Sequence, residues 1–234
     1  MPAMTTPKTL VISDGSLPAL VATAIVSEDA AAGAKAPAPD LPGIVWCIAP
    51  GGPDVDAIRP ACERAAGRQA DVYGLGFLST AEARASDEWL ADGPPGQPES
   101  MTLIRAAYLA AQHQCRRVIW AVLADRDPDS GEPDLASVAR VIDRALLAGR
   151  LASLDLERAE WAAAGVPEVR IETPFADLTD AQLADLSRDL EVPVETCWWW
   201  GDDRLPGASD ERARWGGLVR PMGEPKPRTT AGAR

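Results

Sequence analysis

The chain has 234 residues, of which 46% are hydrophobic and 25% charged, an ordinary composition for a globular protein large enough to bury its own core. The net charge of −12 argues against a nucleic-acid partner, because non-specific binding needs lysines and arginines that neutralise phosphates. No run of about 18 apolar residues occurs and the N-terminus lacks signal-peptide features. We therefore expect a cytoplasmic protein without a membrane span.

Short apolar strands alternate with helices along the chain. The predicted strands are Thr9–Ser13, Ile44–Ala49, Asp71–Leu75, Arg117–Leu123 and Val169–Thr173. The predicted helices are Leu17–Val26, Asp54–Ala66, a piece around Thr80–Leu90, Glu99–Gln112, Leu135–Ala148 and Thr179–Leu190. This order predicts an α/β fold with an open, doubly wound, mostly parallel sheet. We expect one domain over residues 1–215 and a flexible tail over 216–234.

Ligands of such sheets bind at the carboxyl ends of the strands, so the loops after Ser13, Ala49 and Leu123 should share one crevice. The first loop, Ser13-Asp14-Gly15-Ser16, joins a strand to a helix and has the layout of a phosphate cradle. Its chemistry is poor for phosphate, because Asp14 is negative and Pro18 lacks an N–H. We interpret it either as a nucleotide site or as a turn kept for folding, and we favour the turn.

The other two loops offer further candidate residues. Gly51 and Gly52 could approach a nucleotide through the backbone, although glycine pairs mark turns in general. Asp125 and Asp127 could hold magnesium or a polar heterocycle, or they could simply solvate a loop. The sequence leaves these alternatives open.

The remaining polar and aromatic candidates have plainer interpretations. The tryptophans at 198–200 could stack on a purine-like ring, but we prefer the interpretation that they fill the core. His113, the only histidine, is predicted to end a helix. The four cysteines, Cys47, Cys62, Cys115 and Cys197, form no Cys-x-x-Cys pair, so neither a zinc site nor a disulfide framework is expected.

Several segments in series resemble one enzyme family. The segments are Ser13–Pro18, the helix Pro98–Gln112, the strand Ile119–Val122, the loop Asp125–Asp134, and the C-terminal run Ile171–Phe175, Leu178–Leu183 and Leu190–Thr196. In order and spacing they resemble the 7-cyano-7-deazaguanine synthases of the PP-loop ATP pyrophosphatase superfamily. The resemblance covers roughly residues 8–215, and each match alone is weak.

The resemblance implies a Rossmann-like, adenine nucleotide alpha hydrolase-like fold and ATP-dependent C–N ligation with magnesium, as in queuosine biosynthesis. It also implies a small-molecule nucleotide or deazapurine ligand and a homodimer. The chain departs from the family pattern at Asp14 (for Gly), Leu17-Pro18 (for Asp-Ser) and Asp180 (for Lys), and it keeps only Cys197 where the family binds zinc.

We therefore expect a pseudoenzyme with lost or reduced ligase activity, no zinc, and no catalytic residue that can be named. The alternatives are an active magnesium-dependent ATP pyrophosphatase that acts on a different carboxylic acid, and a non-catalytic nucleotide-binding or assembly protein.

Overall fold

The computed structural model describes residues 8–33, 43–48, 54–79, 96–157 and 168–219. Its strands are β1 (Lys8–Ser13), β2 (Gly43–Cys47), β3 (Gly76–Leu78), β4 (Cys115–Trp120) and β5 (Arg170–Glu172). Its helices are α1 (Leu17–Gly33), α2 (Val55–Val72), α3 (Gln97–Gln112), α4 (Leu135–Leu156), α5 (Asp180–Asp189) and α6 (Ala208–Trp215), with a 3₁₀ turn at Val194–Thr196.

The five strands form one parallel sheet in the order β3-β2-β1-β4-β5. In the register of the central strand, Leu10 lies beside Ile44 of β2 and Val118 of β4. The chain runs outward from β1 to β3 on one side, and then crosses back to add β4 and β5 on the other. The predicted open, doubly wound, Rossmann-like parallel sheet is confirmed.

Side chains of each strand alternate between two apolar layers, because successive residues of a strand point to opposite faces. Val11 and Ile119 pack with α1, α2 and α5 on one face. Leu10 and Val118 pack with α3 and α4 on the other. Both faces of the sheet are therefore covered, as a parallel sheet requires.

Several predicted boundaries were wrong, among them the end of α1, which lies at Gly33 and not at Val26. Residues 71 and 72 belong to α2, and the third strand begins only at Gly76. Helix α2 continues past its expected end at Ala66. A turn through Gly74, whose φ is 65°, then separates α2 from β3. Helix α4 also runs eight residues beyond the expected Ala148, to Leu156.

Packed structure continues past residue 215. Val219 is buried, and its N–H donates to the carbonyl of Trp215 at 2.9 Å. The rest of the predicted tail lies outside the described residues, as does the helical piece expected around Thr80–Leu90. Among the helices that the structure describes, none combines the length and the hydropathy of a membrane span.

Candidate functional site

A cleft of about 620 Å³ opens at the carboxyl end of the sheet, where the chain reverses direction between β1 and β4. Doubly wound sheets bind ligands at this switch point. The cleft is formed by the β1–α1 turn, the loop after β4, the start of α5, and α6. Its lining residues are Asp14, Ser16, Pro18, Ala121, Val122, Leu123, Ala124, Asp125, Arg126, Asp180, Trp198, Glu211, Arg214 and Trp215.

The β1–α1 turn satisfies two of its own backbone donors. The N–H of Gly15 donates to Ser13 Oγ at 3.0 Å, and the N–H of Ser16 donates to Asp14 Oδ1 at 3.0 Å. Pro18 contributes no N–H at all. Among the described residues, no acceptor meets the N–H groups of Leu17 and Ala19 in the first turn of α1. In the part of the chain that the structure describes, these N–H groups have no partner, and Asp14 lies in the turn just before them.

The turn is held tightly against α2 and the loop after α5. A Cβ at Gly15 would lie 2.8 Å from Ala65 Cβ and 2.9 Å from the carbonyl oxygen of Cys62, and the φ of Gly15 is 75°. The carbonyl of Gly15 accepts from Gln69 Nε2 at 3.2 Å and from the N–H of Trp198 at 3.1 Å. Only glycine fits this position, so the shape of the turn is rigid.

Both arginines of the cleft are held by the same carboxylate. Arg214 donates from Nε to Asp180 Oδ2 at 2.8 Å and from Nη2 to Oδ1 at 2.7 Å. Arg126 donates from Nη2 to Asp180 Oδ1 and from Nη1 to the carbonyl of Leu178 at 3.0 Å. Burial opposes ionisation of Asp180, but its bonds to Arg214 and Arg126 outweigh burial and lower its pKa. Asp180 therefore pairs with the two guanidinium groups that would otherwise be available to bind a phosphate.

Glu211 adds a further carboxylate to the cleft. It accepts from Trp215 Nε1 at 2.8 Å, and Arg214 lies 3.8 Å from its other oxygen. Burial raises the pKa of Glu211 above its ordinary value, and the bond from Trp215 only partly offsets this. The lining thus carries four carboxylates against two guanidinium groups, so its electrostatic character is acidic.

The predicted acidic residues of the β4–α4 loop separate in space. Asp125 lines the cleft, and its Oδ2 accepts from Ser137 Oγ at 2.9 Å. Asp127 does not line the cleft; its Oδ1 accepts from the N–H groups of Asp129 and Ser130, both at 2.9 Å. These N–H groups, that of Ser130 above all, lower the pKa of Asp127.

Of the predicted site residues, the structure brings Asp14, Ser16 and Asp125 to one cleft, with Ser13 and Gly15 shaping the turn behind it.

The second glycine loop, with Gly51 and Gly52, lies outside the described residues.

Reasoning from the sequence did not single out Arg126, Glu211 or Arg214 as one group. A signal for the last two was their spacing of three residues, which places them on neighbouring positions of a helix. Arg126 carried no such signal, since its partner Asp180 is 54 residues away.

The three consecutive tryptophans divide between cleft and core. Trp198 is only 8% exposed and also borders the cleft, whereas Trp199 is fully buried and Trp200 lies against it with ring centroids 5.6 Å apart. The packing interpretation therefore holds for Trp198 and Trp199, which both belong to the core. Trp198 is placed so that a planar ligand in the cleft could contact its ring.

The cysteines are buried protonated thiols. Burial raises the pKa of Cys47 to about 12 and that of Cys115 to about 11, and the pKa values of Cys62 and Cys197 are also raised by burial. A thiol must lose its proton to ligate a metal. Within the described ranges, no group of three or more His, Cys, Asp or Glu side chains is arranged to hold a metal ion.

No protein-family model matches the sequence, and no curated protein matches it. Among solved structures, the chain is similar to the U34-tRNA thiolase NcsA from Methanococcus maripaludis with its 4Fe–4S cluster, at 14% sequence identity and a TM-score of 0.48. The match covers 92% of this chain and 66% of the thiolase chain, so this chain spans less than two thirds of the thiolase's length.

Proposed function

We propose that the protein is a diverged relative of the PP-loop ATP pyrophosphatases, resembling the 7-cyano-7-deazaguanine synthases, that keeps the ligand cleft but no longer cleaves ATP. The observation that carries this proposal is the state of the β1–α1 turn. Its Gly15 and Ser16 N–H groups are already bonded to Ser13 Oγ and Asp14 Oδ1, so a pyrophosphate would have to displace both.

The charges of the cleft support the same conclusion. A carboxylate about 4 Å from a phosphate oxygen costs about 4 kcal/mol per charge pair near a protein surface. Asp14 stands at the helix end where the phosphate tail would bind, and both cleft arginines are already paired with Asp180. Stabilising a departing pyrophosphate requires prearranged positive charge and donors. The residues present do not fit the triphosphate of ATP.

A neutral planar ligand fits the cleft better than an anion. The exposed part of Trp198 gives the cleft an aromatic contact, and Asp14, Asp125 and Glu211 offer acceptors for the N–H groups of a heterocycle. We therefore expect a non-catalytic role in which the cleft binds a deazapurine-like or nucleoside-like molecule without its phosphates.

One observation favours the alternative of an active magnesium-dependent enzyme. Asp14 and Asp125 line the same cleft, and carboxylates are the oxygen ligands that Mg²⁺ prefers. A cation held between them would screen Asp14 from the phosphates. This alternative predicts ATP binding that requires magnesium and is lost in Asp14→Ala.

Calorimetric titration with ATP, with and without magnesium, separates the two candidates. We expect no measurable ATP binding in either condition, and no release of pyrophosphate when 7-carboxy-7-deazaguanine and ammonia are added. Asp14→Gly should bind inorganic pyrophosphate more tightly than the wild type, because it frees the Ser16 N–H and removes the charge. Pyrophosphate release by the wild type at an enzyme-like rate would overturn the proposal.

A further inference from the structure

The cleft carries negative charge that the protein does not neutralise. Asp180 and Glu211 lie beside Arg126 and Arg214, so these two carboxylates balance the two guanidinium groups of the lining. Asp14 is different, because its carboxylate forms no ion pair with an arginine or lysine in the part of the chain that the structure describes. Its charge is therefore available to a ligand.

The carboxylates of the cleft repel one another. Burial raises the pKa of Glu211 most, and the negative charges of Asp14 and Asp180 raise it further. Asp125 adds a carboxylate at the exposed rim, where its only nearby cation among the described residues, Arg140 at 3.6 Å, is shared with a second aspartate. A positive group between Asp14 and Glu211 would relieve this repulsion, since opposite charges favour the ionised form of each acid.

Both of these carboxylates also keep an acceptor oxygen for a ligand. Asp14 Oδ1 accepts from the N–H of Ser16 at 3.0 Å, whereas its Oδ2 accepts from none of the described residues. Glu211 Oε2 accepts from Trp215 Nε1 at 2.8 Å, and its Oε1 lies 3.8 Å from Arg214, beyond hydrogen-bond range. An ammonium group has three N–H donors and no acceptor, which suits two such oxygens.

The indole of Trp198 provides an observation that is independent of the acids. Trp198 is 8% exposed and borders the cleft, and its N–H donates to no acceptor in the described ranges. The indole N–H groups of Trp46 and Trp199 also lack partners, but they are sealed in the core, whereas that of Trp198 is not. A nearly buried donor without a partner is unfavourable, so an acceptor on a ligand would stabilise this side of the cleft.

The rest of the lining suits an organic molecule. Pro18, Ala121, Val122 and Leu123 contribute an apolar wall, and the volume of about 620 Å³ is that of a site for a small organic ligand. Within the described residues, no group of three or more potential ligating side chains is arranged to hold a metal ion. The excess of negative charge is therefore better matched by an organic cation than by a bare metal ion.

We propose that the ligand of the cleft is an organic cation, namely a planar heterocycle that carries a protonated amine. This inference rests on the proposed function, because it names the class of molecule that the cleft binds in place of ATP. The ammonium group lies between Asp14 and Glu211, and the ring packs on the apolar wall. An acceptor nitrogen or oxygen at the edge of the ring receives the N–H of Trp198.

The first test compares three quinolines that share one ring and differ in charge: 3-(aminomethyl)quinoline, 3-(hydroxymethyl)quinoline and quinoline-3-carboxylate. Each is titrated into the full-length chain at neutral pH, and binding is followed at the tryptophan indole N–H resonances by NMR. The Trp198→Phe variant identifies the resonance of Trp198. We expect the amine to bind about tenfold more tightly than the alcohol, and the carboxylate not to bind. Equal affinities of amine and alcohol, or no binding of the amine, would overturn the inference.

The second test removes the unpaired charge. Asp14→Asn should weaken binding of the aminomethyl compound about tenfold and leave binding of the alcohol within about twofold. The matched control is Asp127→Asn, which changes the net charge by the same amount but lies outside the lining of the cleft. The control should leave both affinities unchanged. Equal losses of amine affinity in the two variants would show attraction by the chain as a whole and contradict a site at Asp14.

The third test addresses the ring acceptor and the competing ion. 2-(Aminomethyl)naphthalene keeps the amine but lacks the ring nitrogen, so it should bind more weakly than 3-(aminomethyl)quinoline and shift the Trp198 resonance less. Magnesium that displaces the amine at millimolar concentration would make the cleft a metal site and overturn the inference. The proposed function fails on a different result, binding of ATP or release of pyrophosphate, so the two failures are distinguishable.

Discussion

The starts of α1 and α4 both have an aspartate beside them, yet the two helix ends differ in what they leave available. At α4, Asp134 is the N-cap, and its carboxylate accepts from the N–H groups of Ala136 and Ser137 at 3.2 and 3.0 Å. At α1, the one bond that Asp14 accepts from the described residues comes from the N–H of Ser16, which precedes the helix. The end of α4 is closed by its own side chain, whereas the end of α1 stays partly open but negatively charged.

This difference shows that two helix starts in one fold can meet their N–H groups in different ways. The free donors of a helix end attract any electron-rich atom, and the macrodipole favours negative charge there. A carboxylate built into the preceding turn satisfies part of that demand permanently. We therefore expect the cleft to favour neutral polar ligands over anions.

The largest expected difference between the starts of α1 and α4 is the loss of stability when the left-handed glycine before each helix is replaced by alanine. Gly15→Ala should destabilise the protein by about 4 kcal/mol, because it combines backbone strain with overlap against Ala65 and Cys62. Gly131→Ala, in the loop before α4, has a φ of 72° and open space around it, so we expect about 1 kcal/mol. Urea denaturation measures both, and equal losses would contradict the rigidity of the β1–α1 turn.

Removal of the shared carboxylate beside the α1 end should have the next largest effect. Asp180→Asn should destabilise the protein by about 2 kcal/mol at neutral pH, through the loss of charge-assisted bonds from Arg126 and Arg214. The folded pKa of Asp180 is lowered, so its contribution is present above the unfolded value of 3.8 and is lost as the pH falls below it. The difference between variant and wild type should therefore shrink in acid.

Asp180→Asn also tests whether Asp180 keeps the two cleft arginines from binding an anion. With Asp180 neutral, both arginines become available, and the variant should bind inorganic pyrophosphate more tightly than the wild type in calorimetric titration. The control is Asp185→Asn, which removes a carboxylate from an exposed pair with Arg188 on the same helix. Equal pyrophosphate binding by both variants would contradict the role assigned to Asp180.

The two aspartates at the helix starts should differ when each is replaced by alanine. Asp134→Ala should cost about 1 kcal/mol, the usual loss for an N-cap that bonds the first turn. Asp14→Ala should cost less, because it gives up one bond outside the helix and also removes a negative charge from the acidic cleft. Thermal denaturation of the pair checks the order; a larger loss for Asp14→Ala would reverse the comparison.

The smallest expected effect is a gain at Glu211. Because burial raises its folded pKa, ionisation of Glu211 reduces the stability of the fold as the pH rises from the unfolded value of 4.5. Glu211→Gln keeps an acceptor for Trp215 Nε1 and avoids this loss. We expect a slightly higher melting temperature at neutral pH, and a difference that vanishes in acid. A variant less stable than the wild type at neutral pH would contradict this account.

The local features of the chain were determined by the sequence itself. The alternation of short apolar strands with helices predicted the parallel sheet, because each period of hydrophobicity reports which face of an element is buried. Thr179 and Gln182 form a capping box, with bonds of 2.8 and 3.1 Å, where the sequence predicts that a helix begins, and His113 ends α3 as expected. All these signals depend on residues within a few positions of one another.

The character of the cleft was decided only by the tertiary structure. Arg126 and Arg214 meet at Asp180 across 54 and 34 residues of chain, and no local pattern indicates which carboxylate a distant arginine will reach. Likewise, only the tertiary structure shows that the α4 leucines are exposed, because it is the other side of that helix that packs against the sheet. Such contacts depend on how elements pack, and packing is a property of the whole chain rather than of any one segment.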